Sequence, residues 1–166
     1  MTSTLLRTAT LMGAAMTMGL ATGAFVIFAH TIMPGLHKTD DRTFVTAFQQ
    51  IDRAIINPWF MATAFVGALV FTLAAGIANR GTSALPWIAA AFGLYLVAFV
   101  VTIAINVPLN DAIKAAGDPN HINVAQVRAQ FHETRWAAWN LLRVATSTSA
   151  FALLTWALVL CGRANS

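Results

Sequence analysis

Long apolar stretches without Asp, Glu, Lys or Arg alternate with polar segments along the chain, and the two longest cover residues 8–37 and 81–110. A helix needs roughly 20 apolar residues to cross the hydrocarbon core of a bilayer, and its backbone groups must be paired there. We therefore predict membrane-spanning helices at about residues 9–33, 58–79, 84–107 and 136–161. The pattern predicts an all-α fold: an integral membrane four-helix bundle that forms one domain over residues 1–166.

The connections between the spans differ in length and in predicted structure. Residues 39–57 place Phe44, Phe48, Ile51 and Ile55 at steps of four, three and four, which predicts an amphipathic helix. Residues 111–135 predict a turn followed by a helix that runs without a break into the fourth span. The remaining connection, residues 80–83, is short. We call the end of the bundle that carries residues 38–57 and 111–135 the decorated end.

Composition supports a membrane protein. Hydrophobic residues make up 58% of the 166 residues and charged residues 10%, against about a quarter charged in soluble domains. The net charge of +4 comes from scattered Lys and Arg, which predicts contact with the lipid bilayer and no binding of nucleic acid. The single cysteine, Cys161, excludes a disulfide within the chain.

The charge distribution bears on localisation and orientation. We expect a multi-pass protein of the plasma (inner) membrane. A count of Lys and Arg alone would place the decorated end in the cytoplasm. All six acidic residues lie at that end too, however, whereas the segments around Arg7, Arg80 and Arg163 at the other end contain no acidic residue. We therefore predict that both termini are cytoplasmic.

Polar residues inside a span are costly, so they are candidates for function. His132, Trp136, Trp139, Asn140 and Arg143 follow one another at steps of four, three, one and three, and they form one stripe at the start of the fourth span. We predict that Arg143 pairs inside the bundle. The alternative is that Arg143 extends to the headgroups and Trp136 belongs to the interfacial belt.

A second group surrounds Pro108. Asn106 and Asn110 share a helix face if the third span continues through the proline, which frees a carbonyl near Ala104 for a side-chain donor. The alternative is that the helix stops here and the asparagines cap it.

Histidines form a third group. His30 lies near the end of the first span, and His37, His121 and His132 are predicted at the same end of the bundle. Imidazole binds Zn, Cu and Fe, but the chain has none of the usual metal-ligand spacings. We predict no metal and no cofactor, with a histidine-bound metal as the alternative. A further interpretation, which needs no metal, is that His30 or His132 transfers a proton.

Three motifs together resemble a known family. They are residues 30–36 (HTIMPGL), residues 106–110 (NVPLN) and Arg135-Trp136-x-x-Trp139-Asn140-x-x-Arg143. Over about residues 10–161 the chain resembles the DUF1772 family of small integral membrane proteins, which includes anthrone oxygenases of aromatic polyketide pathways. The resemblance implies a four-helix bundle and, for that branch, oxidation of an anthrone to an anthraquinone with O2. The matching positions are Asn106, Pro108, Asn110, Trp136, Asn140 and Arg143.

Such a reaction requires a base, a flat apolar slot and a group that holds an oxyanion. We therefore predict an oxidase of a flat, lipid-soluble aromatic or quinol substrate, with His30, His132, Arg143 and Asn106 as catalytic residues. The predicted substrate-binding residues are Trp59, Asn110, Trp136, Trp139 and Asn140.

The alternative function is a non-enzymatic membrane scaffold or accessory subunit that binds lipid or a partner protein. An enzyme should contain an apolar cavity that reaches His30 or His132 with Arg143 at its wall, and residues 39–57 would cover it as a lid. A scaffold should lack the cavity and pair these side chains with one another.

Overall fold

The computed structural model describes residues 2–163, which are almost entirely helical and contain no strand. Helix α1 covers residues 2–37, α2 covers Asp41–Ile55, α3 covers residues 58–78, α4 covers residues 85–115, α5 covers Val124–Phe131 and α6 covers Glu133–Arg163. Four segments of the described chain are long and apolar enough to cross a membrane: Thr4–His37, Pro58–Ala78, Leu85–Ala115 and Val124–Arg163. The predicted all-α membrane bundle is therefore confirmed.

Three of the long helices contain a π-helical turn: Phe28–Ile32 in α1, Met61–Phe65 in α3 and Thr102–Asn106 in α4. Two of these turns come just before a proline, at Pro34 and Pro108. A proline ring clashes with the carbonyl four residues earlier in a regular α-helix, and the wider turn relieves this clash. Both helices therefore continue, and the alternative of a helix stop at Pro108 is wrong because α4 runs on to Ala115.

The predicted unbroken helix into the fourth span is also wrong. His132 has a left-handed backbone with φ of 54°, and it separates α5 from α6. The break lets Phe131 pack against Phe48, with ring centroids 4.6 Å apart, while Trp136 starts the buried face of α6. The amide of Trp136 donates to the carbonyl of His132 at 3.0 Å, so the new helix begins at once.

Side-chain contacts define the two ends of the bundle. Arg7 Nε donates to the carbonyl of Ala78 at 3.1 Å, and the Thr8 hydroxyl lies 3.8 Å from the Cys161 sulfur. The start of α1 and the ends of α3 and α6 therefore share one end. The decorated end carries α2 and α5.

Helix α2 lies against the decorated end through its apolar face. Asp40 caps it by accepting from the amide of Thr43 at 3.0 Å, and Phe44 and Phe48 are buried with Phe28, Phe131 and Trp136. The predicted amphipathic helix is thus present. Asn57 accepts from the amide of Phe60 at 2.9 Å and starts α3, with Pro58 at its first position.

Candidate functional site

An apolar cavity of about 290 Å³ extends from the decorated end into the bundle. It lies between α1, α2, α3, α4 and α6, and its volume is close to the lower end of the range for small-molecule sites, roughly 300–1,000 Å³. The lining is mainly aromatic and aliphatic, with a few polar groups: Ala24, Phe25, Phe28, Asp52, Ile55, Ile56, Phe60, Met61, Phe65, Thr102, Val107, Asn110, Asp111, Lys114, Trp136 and Arg143.

Arg143 is the cation at the deep wall of this cavity. Arg143 is only 6% exposed, so its guanidinium does not extend to the surface. Nη2 donates to Asn140 Oδ1 at 2.7 Å and Nη1 donates to Thr102 Oγ1 at 3.2 Å. The guanidinium carbon also lies 4.5 Å from the centre of the Phe25 ring.

The charge of Arg143 has no counter-ion within the described chain. None of the salt bridges among residues 2–163 involves Arg143, and its Nε has no hydrogen-bond partner there. A buried cation of this kind is costly unless it is compensated. The arrangement therefore favours an anion, or a group that becomes an anion, as the occupant of the cavity.

Two asparagines hold the wall in place from behind. Asn140 Nδ2 donates to the carbonyl of Phe25 at 3.1 Å, and Asn106 Nδ2 donates to the carbonyl of Trp136 at 3.3 Å. Both side chains are buried and do not line the cavity. These bonds link α6 to α1 and α4, and Asn140 also accepts a hydrogen bond from Arg143, so the position of the guanidinium is fixed.

A second polar group forms the wall nearer the decorated end. Trp136 Nε1 donates to Asn110 Oδ1 at 2.7 Å, and Asn110 Nδ2 donates to Asp52 Oδ1 at 2.6 Å. The other oxygen of Asp52 lies 2.7 Å from Lys114 Nζ, which is also 3.0 Å from Asp111 Oδ1. One carboxylate of this group, Asp52, is almost fully buried.

The structure brings part of the predicted site together. Arg143, Trp136 and Asn110 line the cavity, and Asn106 and Asn140 support it. Trp59 is 64% exposed, and Trp139 is half-buried; neither lines the cavity. His30 and His132 are exposed and lie outside its lining, so the cavity reaches Arg143 but not these two histidines.

Asp52 and Lys114 were missed by the sequence reasoning, as were the aromatic walls Phe25, Phe28 and Phe65. A signal for Asp52 was present, because it follows Phe44 and Phe48 at steps of four on the apolar face of α2. An acidic residue on such a face needs a partner in the folded protein.

Two of the predicted histidines lie beside carboxylates at the decorated end. His37 Nδ1 lies 3.0 Å from Glu133 and His121 Nδ1 lies 3.3 Å from Asp118, which are separate surface pairs. Residues 2–163 contain no group of three or more His, Cys, Asp or Glu side chains that could hold a metal ion.

Comparison with protein families gives a match over the second to fourth spans. A family model described as anthrone oxygenase matches residues 44–153, about two thirds of the chain. The chain belongs to the anthrone oxygenase family. The matched range includes Asp52, the NVPLN motif and the stripe of α6, whereas α1 precedes it. Comparisons of the chain with curated proteins and with solved structures found no match.

Proposed function

We propose that this protein is a membrane oxygenase that oxidises a flat, lipid-soluble aromatic substrate of the anthrone or quinol type with O2. The observation that carries the proposal is the pairing of an aromatic cavity with an uncompensated arginine. Arg143 lies at the wall of an apolar cavity and has no carboxylate partner among the described residues. Such a cation stabilises negative charge that develops on the substrate, because little water competes with it there.

An anthrone meets these requirements chemically. Its activated methylene loses a proton, and the resulting anion spreads its charge onto the ketone oxygen, which Arg143 would hold. The electron-rich carbon then forms a bond with O2 and becomes a hydroperoxide once a proton is returned. Loss of water from the hydroperoxide leaves the second ketone. One O2 is consumed and one water is released per quinone formed, so the reaction needs no external reductant.

The substrate explains the location of the site. A planar aromatic ketone partitions into the bilayer, and a cavity inside the bundle receives it without passage through water. Phe25, Phe28 and Phe65 would contact its rings, while Trp136 would lie beside the guanidinium. Because the substrate carbanion reacts with O2 directly, we propose that no bound cofactor takes part.

The test is turnover by the purified protein in detergent. Emodin anthrone and menaquinol would each be incubated under air, with quinone formation and O2 uptake measured and metal content determined on the same samples. We expect Arg143→Ala to lose most of the product formation and Arg135→Ala, a matched change at an exposed arginine, to retain it. Absence of turnover and of binding for both compounds would reject the oxygenase.

The same assay decides the role of the two exposed histidines. His30→Ala and His132→Ala remove the bases predicted from the sequence. Loss of turnover in either variant would indicate that the proton transfer takes place at the surface of the decorated end and not in the cavity. Retained turnover would require a base within the cavity lining.

A further inference from the structure

We propose that Asp52 is the base of this site, and that it first removes the methylene proton of the substrate and later returns it to the peroxide oxygen. The inference rests on the proposed function. Of the described residues that line the cavity, the carboxylates are Asp52 and Asp111. The side chain of Asp111 is 61% exposed, whereas that of Asp52 is 5% exposed. Only Asp52 is thus shielded from water in the way that carbanion chemistry requires.

The position of Asp52 is fixed from two sides. Asn110 donates to its Oδ1 at 2.6 Å, and Lys114 Nζ lies 2.7 Å from its Oδ2. These contacts hold the carboxylate in one orientation at the wall of the cavity, from which it can accept a proton from a bound substrate. Asn110 and Lys114 are positioning residues in this scheme.

Arg143 and Asp52 are also connected through the wall of the cavity. Trp136 donates to Asn110 from its indole nitrogen, and its ring lies 5.5 Å from the guanidinium carbon of Arg143. The indole ring of Trp136 therefore lies between Arg143, which would hold the substrate oxyanion, and the Asn110–Asp52 pair, which contains the proposed base. A flat substrate that lies along Trp136 would place its oxygen towards Arg143 and its carbon towards Asp52.

The proton balance of the reaction suits a base inside the bundle. The C–H bond breaks, its proton passes to Asp52, and the electron pair stays on the substrate. O2 then accepts electrons as the C–O bond forms, and Asp52 protonates the outer oxygen of the peroxide. The second methylene hydrogen leaves with that hydroxyl group as water. No net proton enters or leaves over the whole reaction, so Asp52 ends each turnover in the state in which it began.

The experiment separates proton removal from oxidation. Emodin anthrone would be incubated with the full-length protein in D2O without O2, and deuterium incorporation at its methylene would be followed by mass spectrometry above the protein-free rate. Binding of emodin, a quinone that has no methylene to exchange, would be titrated on the same samples. Asp52→Asn would be compared with Asp118→Asn, a matched change in an exposed turn outside the cavity.

We expect the parent to accelerate exchange and Asp52→Asn to reduce the acceleration at least about 100-fold, the usual contribution of a general base. Emodin binding should stay within about twofold, and Asp118→Asn should behave as the parent. Exchange at the parental rate in Asp52→Asn would overturn the inference.

A second variant covers the case in which Asp52→Asn does not fold. Asp52→Glu keeps the charge that faces Lys114 but moves the carboxylate by about 1 Å, a displacement that can cost about 100-fold in rate. Slowed exchange with retained emodin binding would support Asp52, and unchanged exchange would overturn it. If the parent itself neither binds emodin nor oxidises the anthrone, the oxygenase proposal fails. If the parent oxidises the anthrone while both variants exchange normally, only the assignment of Asp52 fails.

Discussion

Replacement of Arg143 by methionine should separate the role of this residue in binding from its role in folding. The substitution keeps a long, unbranched side chain against Phe25 and Trp136 but removes the cation. It also leaves Asn140 Oδ1 without the donor that lies 2.7 Å away in the parent. Thr102 keeps its own bond to the carbonyl of Ala98, so its hydroxyl stays satisfied.

The expected change in the free energy of unfolding is the difference between two effects. Loss of the donor to a buried Asn140 oxygen costs about 1–3 kcal/mol. Removal of an unpaired buried cation recovers a desolvation penalty of about several kcal/mol. We therefore expect Arg143→Met to be as stable as the parent or more stable. Binding of an anionic ligand should lose one charge-assisted hydrogen bond, about 1.5–3 kcal/mol, which raises Kd roughly 10- to 150-fold.

Both quantities can be measured on one preparation in detergent. Emodin, ionised at a raised pH, would be titrated by absorbance, and unfolding would be followed by intrinsic tryptophan fluorescence. Arg135→Met serves as the control, because Arg135 is exposed on the same helix. Parental affinity in Arg143→Met, or a large loss of stability with unchanged affinity, would refute the argument and leave Arg143 as a structural residue.

Three further predictions concern the fold. Cysteines introduced at Thr82 and Asn120 of a cysteine-free variant should label from opposite sides of the membrane, with position 82 on the cytoplasmic side; labelling from one side would contradict the topology. Replacement of His132 by glycine should raise the melting temperature, because a left-handed residue with a side chain costs about 1 kcal/mol there, and a lower melting temperature would contradict this. Gly67→Ala should lower the stability by about 1–3 kcal/mol, because its Cβ would lie 2.7 Å from the carbonyl oxygen of Ala62 in the π-helical turn; a stability equal to the parent would contradict the close approach.

The parts of the fold that follow from local patterns could be predicted from the sequence. Uncharged stretches located the four spans, and the spacing of Phe44 and Phe48 located α2. The sequence left open whether α4 continues past Pro108, and it did not indicate the π-helical turns, because such a turn has no distinct residue pattern. The left-handed backbone of His132 could not be predicted either, since residues other than glycine are uncommon at positive φ.

Some residues of the candidate site could likewise be predicted from local spacing, and others could not. Trp136, Asn140 and Arg143 share one face of one helix, so their spacing alone brought them together. Asp52 meets Asn110 only because α2 folds back onto α4, a contact across 58 positions of sequence that no local pattern indicates. His30 lies inside a π-helical turn, which changes the direction of side chains relative to a regular helix and leaves it exposed.

The location of the ligand tests the central claim most directly. A photoreactive anthraquinone would be cross-linked to the protein in membranes, and the modified peptides would be identified by mass spectrometry. We predict modification around Phe25, Phe65 and Trp136, suppressed by excess emodin and lost in Arg143→Met. Modification confined to outward-facing residues such as Val70 and Val100, and insensitive to emodin, would contradict a ligand site inside the bundle.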